Sequence, residues 1–184
     1  MTDMTNKTHG GYRNLKSYQT TTIIYDFVVV FVKRYLDFRS RTCDQMVQAA
    51  RSGRQNIAEG SQASATSKKT EIKLVGVARA SLEELLVDCE DFLRQRGLPK
   101  WDKNDPRILV IRKLSYKTDR SYSTYETYME SPESAANCLI CLIHQANFLL
   151  DRQLMSLEKA FVEDGGYTEN LFKRRLSQKR KYDQ

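Results

Sequence analysis

The sequence predicts an all-α protein whose residues 15–165 form an up-down four-helix bundle, and three observations support this prediction. Apolar residues recur at spacings of three and four along four long segments, which is the period of an amphipathic helix. Only 8 glycines and 3 prolines occur among 184 residues, too few for the tight turns of a β-sandwich or β-barrel. Four helices of roughly 25–30 Å each can share one core only as a bundle.

The polar residues 1–14 show no periodicity and predict a flexible amino-terminal arm. The first helix is predicted from Leu15 to Phe38. Its Val-rich centre, residues 28–32, also matches a buried strand, but about twenty residues without a turn signal exceed the length of a typical strand. Apolar residues cover nearly the whole circumference of this helix, so we expect the surplus apolar surface to contact another copy of the chain.

The second helix is predicted from Ser40, a favourable N-cap, to Ala65. Its apolar face consists mostly of small residues, which allow a neighbouring helix to approach closely. Gly53 lies inside this helix, where glycine costs about 1 kcal/mol relative to alanine. We therefore expect Gly53 to mark a tight helix crossing or a bend.

The third helix is predicted to begin at Thr66 or Ser67, with the side chain of Ser67 or of Thr70 as its cap, Thr70 being nearer to the apolar run. Its last turn contains basic residues and is followed by Gly97 and Pro99. Basic side chains, a glycine just past the end and a proline beyond it are the usual signals that end a helix.

Residues 102–131 interrupt the helical pattern and are expected to form an insert with little core of its own. A short helical or extended piece, residues 106–114, precedes a polar, tyrosine-rich stretch. The fourth long helix then begins with Ser131 as its N-cap and ends near Gly165. Residues 166–184 are expected to form a short basic helix or a frayed tail.

The net charge of +7 is concentrated in the first third of the chain and in its last nineteen residues. A polyanion such as RNA or DNA is one explanation of this excess, and plain solubility is the other. The longest apolar run, residues 23–32, is interrupted by Asp26 and is too short to span a membrane. No cleavage site for a signal peptide follows it, so a cytoplasmic protein with reduced thiols and no membrane partner is expected.

One sequence motif resembles a known family. The segment Ala49-Ala50-Arg51-Ser52, the pentapeptide NIAEG at 56–60 and the segment ASLEEL at 80–85 resemble the bacterial four helix bundle protein family. This family includes proteins encoded in intervening sequences of 23S ribosomal RNA genes, and the accessory variability determinant of diversity-generating retroelements has a similar bundle. The pentapeptide is the specific part. The resemblance covers about residues 12–100 and, more weakly, 132–161.

The resemblance implies a non-enzymatic protein that assembles as a ring-like homopentamer. The retroelement member binds nucleic acid and a reverse transcriptase, so RNA, DNA or a nucleic-acid-processing protein are the implied partners. Three features depart from the family. Arg54 stands where the family commonly has proline, and both the insert and the basic tail are additional, which points to a branch with a partner of its own.

The motif residues are expected to have a structural role. Asn56 and Glu59 lie three residues apart on one helix face. We expect Glu59 to pair with Arg79 of the third helix or to accept backbone N–H groups at the start of that helix. The residues assigned to this structural motif are Asn56, Glu59, Gly60, Arg79, Ser81 and Glu84. No catalytic residue is predicted, because an acid–base pair needs a cleft and a second titratable group.

No metal or other cofactor is predicted. Di-metal bundles need Glu-x-x-His pairs, and the chain contains none. Cys138, Cys141 and His144 are spaced by three residues, but on a helix these positions rotate away from a common point, so the three groups would converge poorly. We expect the two cysteines to be small core residues.

Basic clusters are the candidate nucleic-acid-binding residues, with a solvated surface as the alternative for each. They are Arg51, Arg54, Lys68, Lys69, Lys173, Arg174, Arg175, Lys179, Arg180 and Lys181. An apolar anchor in the tail, Leu171, Phe172 and Leu176, is expected to dock on the bundle. The insert tyrosines either stack on bases or pack their rings on a bundle end; they are Tyr116, Tyr122, Tyr125 and Tyr128.

The predicted function is that of a non-enzymatic, oligomeric helical-bundle protein, most simply a homopentamer, that binds nucleic acid or a nucleic-acid-processing partner through these basic surfaces. The alternative is a structural protein–protein adaptor with no nucleic-acid role. Salt dependence separates the two, because phosphate contacts weaken steeply as salt rises and hydrophobic docking does not.

Overall fold

A computed structural model of the chain describes residues 11–182, with side chains to residue 180. Residues 1–10 of the expected arm, 1–14, lie outside this range, whereas residues 11–14 form a 3-10 helix that contacts the first two long helices, so this part of the expected arm is ordered. The described part is mainly helical and contains no strand, which confirms the all-α class. Its α-helices are α1 (Lys16–Tyr35), α2 (Arg41–Ala63), α3 (Lys68–Gln95), α4 (Pro106–Leu114), α5 (Pro132–Asp164) and α6 (Tyr167–Tyr182). Short 3-10 helices cover Gly11–Asn14, Tyr122–Thr124 and Glu126–Glu130.

Local sequence signals set the ends of the long helices. A serine hydroxyl accepts a backbone N–H at the start of three of them, as predicted. These bonds join Ser40 to Thr42 (3.3 Å), Ser67 to Thr70 (3.2 Å) and Ser131 to Ser134 (3.1 Å). Gly97 follows α3 with φ +63° and Gly165 follows α5 with φ +74°, a left-handed conformation that glycine adopts without strain.

The four long helices α1, α2, α3 and α5 form the core. α1 packs against α2 and α5, and α3 packs against the same two helices. Ser17, near the start of α1, donates a hydrogen bond to Gln153 in the second half of α5 at 2.9 Å. Arg79 in α3 binds Asp151 of α5 at 2.6 Å. Asn147 of α5 donates to Glu83, one turn further along α3, at 3.3 Å, and Tyr35 at the end of α1 donates to Met129, just before α5. The order of these contacts shows that α5 runs antiparallel to both α1 and α3.

α2 and α3 approach most closely at Gly53. A β-carbon placed there would lie 2.9 Å from Cδ2 and 3.0 Å from Cγ of the fully buried Leu82. The close crossing predicted at this glycine is therefore confirmed. Gly60, further along α2, also lies close to α3. A β-carbon placed there would lie 3.4 Å from the Glu71 carbonyl oxygen and from Leu74 Cβ.

The insert has no separate core, as expected, but several of its residues belong to the main core, which the sequence did not indicate. Ile111 and Tyr125 are completely buried, and Met129 is nearly so. The hydroxyl of Tyr35, at the end of α1, donates to the backbone carbonyl of Met129, and the Tyr122 ring packs edge-on against Phe27 at 5.9 Å between centroids. The insert therefore covers the side of α1 and contributes to the main core.

This cover removes the reason for the expected intermolecular contact of α1. The apolar residues of α1 pack against α2, α5 and the insert of the same chain, so their burial does not require a second copy. Its apolar side chains are buried or half-buried in the described structure; they are Ile23, Ile24, Phe27, Val28, Val29, Val30, Phe31 and Val32.

The side chains of residues 171–180 in α6 are exposed to solvent. Leu171, Phe172 and Leu176 are 43%, 59% and 42% exposed, so the expectation that they dock on the bundle is wrong. α6 begins with the Gly166 N–H donating to the Glu169 carboxylate at 3.0 Å.

Candidate functional site

The basic side chains of α6 that the structure describes are exposed to solvent. Lys173, Arg174, Arg175, Lys179 and Arg180 are all exposed. None of these five has a carboxylate within 4 Å among the described side chains. The sixth predicted cation, Lys181, lies in the last turn of α6, and its side chain is outside the described range. We refer to the five described cations as the α6 basic surface.

The predicted cations of α2 and α3 differ in how far they are exposed to solvent. Arg51 and Lys69 are exposed, whereas Lys68 is half-buried. Arg54 is also half-buried, and its guanidinium lies 4.3 Å from the centre of the Tyr25 ring on α1. This cation–π contact stabilises the packing of α2 on α1, so Arg54 is a packing residue and is less available to phosphate than its neighbour Arg51.

The NIAEG motif contributes to a hydrogen-bond network between α2 and α3. Asn56 Nδ2 donates to the Ser52 carbonyl at 2.9 Å and to Ser52 Oγ at 3.1 Å. Ser52 Oγ lies 2.9 Å from Ser81 Oγ, and Ser81 also donates to the Val77 carbonyl at 3.0 Å. The contact between Ser52 and Ser81 thus joins α2 to α3, and the motif residue Asn56 supports it by binding Ser52 within α2.

The expected partners of Glu59 are wrong. Glu59 is exposed and forms no hydrogen bond or ion pair with the described residues. Arg79 instead binds Asp151 at 2.6 Å and Glu83 at 3.6 Å. The reason is geometric, because Arg79 lies on the side of α3 that faces α5, away from α2. Glu84 is also exposed.

The cysteines of α5 are core residues, as expected. Cys138 is completely buried and Cys141 is 4% exposed, whereas His144 points to solvent. Burial raises the pKa of both thiols, which keeps them protonated and unreactive at neutral pH. Within the described residues, no group of three or more His, Cys, Asp or Glu side chains could hold a metal ion.

Sequence reasoning missed a pocket of about 880 Å³ between α4 and α5. The start of α1 and the loops on both sides of α4 complete its walls. The residues that line it are Lys16, Thr20, Lys100, Trp101, Asp102, Lys103, Ile108, Arg112, Ser115, Tyr116, Arg120, Ile140, Cys141, His144, Gln145, Phe148 and Leu149. We call it the insert pocket, because residues of the insert form one of its walls.

Trp101 is a rigid part of the wall. Its backbone N–H donates to Asn137 Oδ1 at 2.8 Å, and its indole N–H donates to the Glu133 carboxylate at 2.6 Å. The Arg107 guanidinium covers the indole at 3.9 Å and lies 3.3 Å from Glu133. Three separate contacts therefore fix the tryptophan against α5.

Two arginines of the insert also line the pocket. Arg120 is half-buried, lies 3.5 Å from Thr20 Oγ1 and approaches the Tyr125 hydroxyl, whose pKa is raised by burial and lowered in part by this guanidinium. Arg112 lies beside the Cys141 thiol, where it opposes the rise in the thiol pKa that burial causes. A sequence signal did exist: cations recur from Lys100 to Arg120 around the only tryptophan.

Comparison with known proteins found no matching protein-family model and no significant similarity to a curated protein or to a solved structure. The resemblance stated above therefore stays a prediction. No helix in the described part of the chain is long and apolar enough to cross a membrane.

Proposed function

We propose that this protein is a non-enzymatic helical-bundle protein that binds nucleic acid through the α6 basic surface. The observation that supports this proposal is the full exposure of five cations on one helix with no acidic partner among the described side chains. Lys173 and Arg180 lie seven residues apart and hence on one face of the helix. Such a surface binds phosphates without reading base sequence, and it releases counterions when it does so.

The proposal includes a fold and an assembly. The antiparallel contacts of α5 with α1 and α3 support an up-down bundle of the four long helices. Following the family resemblance, we propose a cytoplasmic homo-oligomer, most simply a pentamer. Light scattering tests the assembly, since a stable monomer of 21.4 kDa at micromolar concentration would exclude it.

A salt titration of fluorescence anisotropy with labelled RNA and DNA tests the nucleic-acid proposal. The test variant replaces Lys173, Arg174 and Arg175 by glutamine. Because each lost phosphate contact removes about 0.7–0.9 of a unit of log–log salt slope, we expect the slope to fall by about two units and the affinity to fall with it.

The matched control for this titration replaces three exposed cations at another place, Lys33, Arg39 and Arg41, by glutamine. It changes the net charge by the same amount and should retain most of the affinity and slope. Equal affinity and slope for the α6 variant and the unchanged protein would exclude α6 as the binding element.

The second candidate function is a protein–protein adaptor. It is favoured by the apolar residues that α6 leaves in solvent, Leu171, Phe172 and Leu176, since an amphipathic helix of this kind can dock its apolar face in the groove of a partner. In that case a partner recovered from the host should stay bound at high salt and be lost when Phe172 and Leu176 are replaced by serine.

A further inference from the structure

The insert pocket has the charge of an anion site. Five of the side chains that line it are cationic, and Asp102 is the one carboxylate among its lining residues. Lys100 binds Glu90, whereas Lys16, Lys103, Arg112 and Arg120 have no carboxylate within 4 Å among the described side chains. Four unpaired cations around one concavity repel each other, and a bound anion would relieve that repulsion.

The same pocket has an apolar and aromatic interior. Ile108 and Ile140 are buried at its wall, and Trp101 is held in place as described above. Two further rings, Tyr116 and Phe148, line the pocket but are 87% and 61% exposed. Flat aromatic ligands stack on such rings and on guanidinium planes.

One polar group in the wall has no partner. The Gln145 carboxamide oxygen is buried and makes no hydrogen bond within the described structure, while the Gln145 amide nitrogen is 3.7 Å from the Cys141 sulfur. A buried polar atom without a partner costs free energy. Because the oxygen has no exposed surface, a ligand with a hydrogen-bond donor would remove this cost only after the Gln145 side chain rotates toward the pocket, and it would then gain orientation from the bond.

We propose that the insert pocket binds a small aromatic anion of the nucleoside monophosphate class. The phosphate lies among Lys103, Arg112 and Arg120, and the ring packs against the aromatic wall with a polar edge near Gln145. The size of the pocket matches that of ordinary small-ligand sites. This site is separate from the α6 basic surface, because no residue of α6 lines it.

Isothermal titration calorimetry with adenosine monophosphate tests the proposal on the full chain. We expect saturable binding of one ligand per chain, with adenosine and inorganic phosphate each binding at least tenfold more weakly, since each provides only half of the recognised chemistry. The fluorescence of Trp101, the only tryptophan, should change with the same saturation curve. No saturable binding, or inorganic phosphate binding as tightly as the nucleotide, would overturn the proposal.

A matched pair of variants tests whether the nucleotide binds in the insert pocket. Arg112→Gln removes a cation that lines the pocket, whereas Lys113→Gln removes the adjacent exposed cation of α4 that does not line it. We expect a loss of affinity of tenfold or more in the first variant and less than twofold in the second. Equal losses would mean that the nucleotide responds to overall charge, and the proposal would fail.

Gln145→Leu gives an independent readout. Removing a carboxamide whose buried oxygen has no partner and whose nitrogen has only the weak contact with Cys141 should leave the melting temperature unchanged or raise it, yet weaken nucleotide binding at least fivefold. Unaltered binding in this variant contradicts the assigned role of Gln145. Loss of binding to a labelled RNA in the Arg112→Gln variant, with nucleotide binding intact, would instead assign the pocket to the polymer and overturn the proposal.

Discussion

At the scale of single residues, two glycines in neighbouring helices should respond to alanine in opposite directions. At Gly76 in α3 an added β-carbon would have nothing within 4 Å, whereas at Gly53 in α2 such a carbon meets Leu82 at 2.9 Å. Gly76→Ala should therefore stabilise the protein by about 0.5–1 kcal/mol, the helix propensity gain. Gly53→Ala should destabilise it by about 1 kcal/mol net, because overpacking a buried site costs about 1–3 kcal/mol.

Chemical denaturation of the two glycine variants checks this difference. Leu82 is completely buried, so its side chain has no free space into which it can move. Equal stabilisation by both alanines would show that α2 and α3 are not in close contact at Gly53.

Residue pairing was the least predictable level of the structure. Glu59 was expected to bind Arg79, yet Arg79 binds Asp151, which lies 72 residues further along the chain. Arg54 looked like a surface cation, but Tyr25 of α1 covers it. Helical periodicity assigns a residue to a face of its own helix, and it does not say which neighbouring helix lies against that face.

At the scale of elements, the second half of α3 is rich in carboxylates, namely Glu83, Glu84, Asp88, Glu90 and Asp91. Asp88 is half-buried and makes no hydrogen bond or ion pair with the described residues. Partial burial raises the pKa of Asp88, and the nearby Asp91 and Glu84 raise it further. The folded state therefore favours the protonated form, and the ionised form costs stability at neutral pH.

Asp88→Asn should consequently raise the melting temperature near pH 7. The gain should shrink as the pH falls and vanish below about pH 4, where the unfolded carboxyl is also protonated. Glu59→Gln, a charge change of the same size at an exposed site without a partner, serves as the control and should have little effect at either pH. A gain from Asp88→Asn that persists at low pH would assign it to helix propensity and contradict the electrostatic explanation.

Element boundaries were predictable where their signals are local. The serines at 40, 67 and 131 and the glycines at 97 and 165 act on backbone groups within a few residues, so the sequence alone locates them. The contribution of the insert to the main core was not predicted, because the burial of Ile111, Tyr125 and Met129 depends on α1 and α5. A polar stretch with scattered apolar residues gives no periodic signal, even when those residues are central to the core.

At the scale of the whole molecule, the insert pocket could not be predicted, because its walls come from the start of α1, the loops around α4, α4 itself and α5. These segments are brought together only by the packing of the long helices. The α6 basic surface was predictable, because it depends on one short segment and on nothing else in the chain. The two candidate sites thus differ in how much tertiary structure each requires.

That difference predicts that α6 and the rest of the molecule are separable. Residues 171–180 are all exposed, and the completely buried core residues lie between Thr20 and Leu150. A protein truncated after Gly166 should keep its melting temperature within about 2 °C, because little buried surface is lost. It should also keep nucleotide binding in the insert pocket while losing most of its affinity for a labelled RNA.

Leu150→Ala shows that the melting experiment is sensitive to lost packing. Leu150 lies in α5 and is completely buried, so its truncation should cost about 2–5 kcal/mol. If truncation after Gly166 lowered the melting temperature as much as Leu150→Ala does, α6 would have to be buried in the protein in solution. The natural site of that burial would be a second copy of the chain, since the apolar residues of α6 do not pack on their own core. Such a result would indicate that α6 forms an oligomer interface and would contradict its proposed role in nucleic-acid binding.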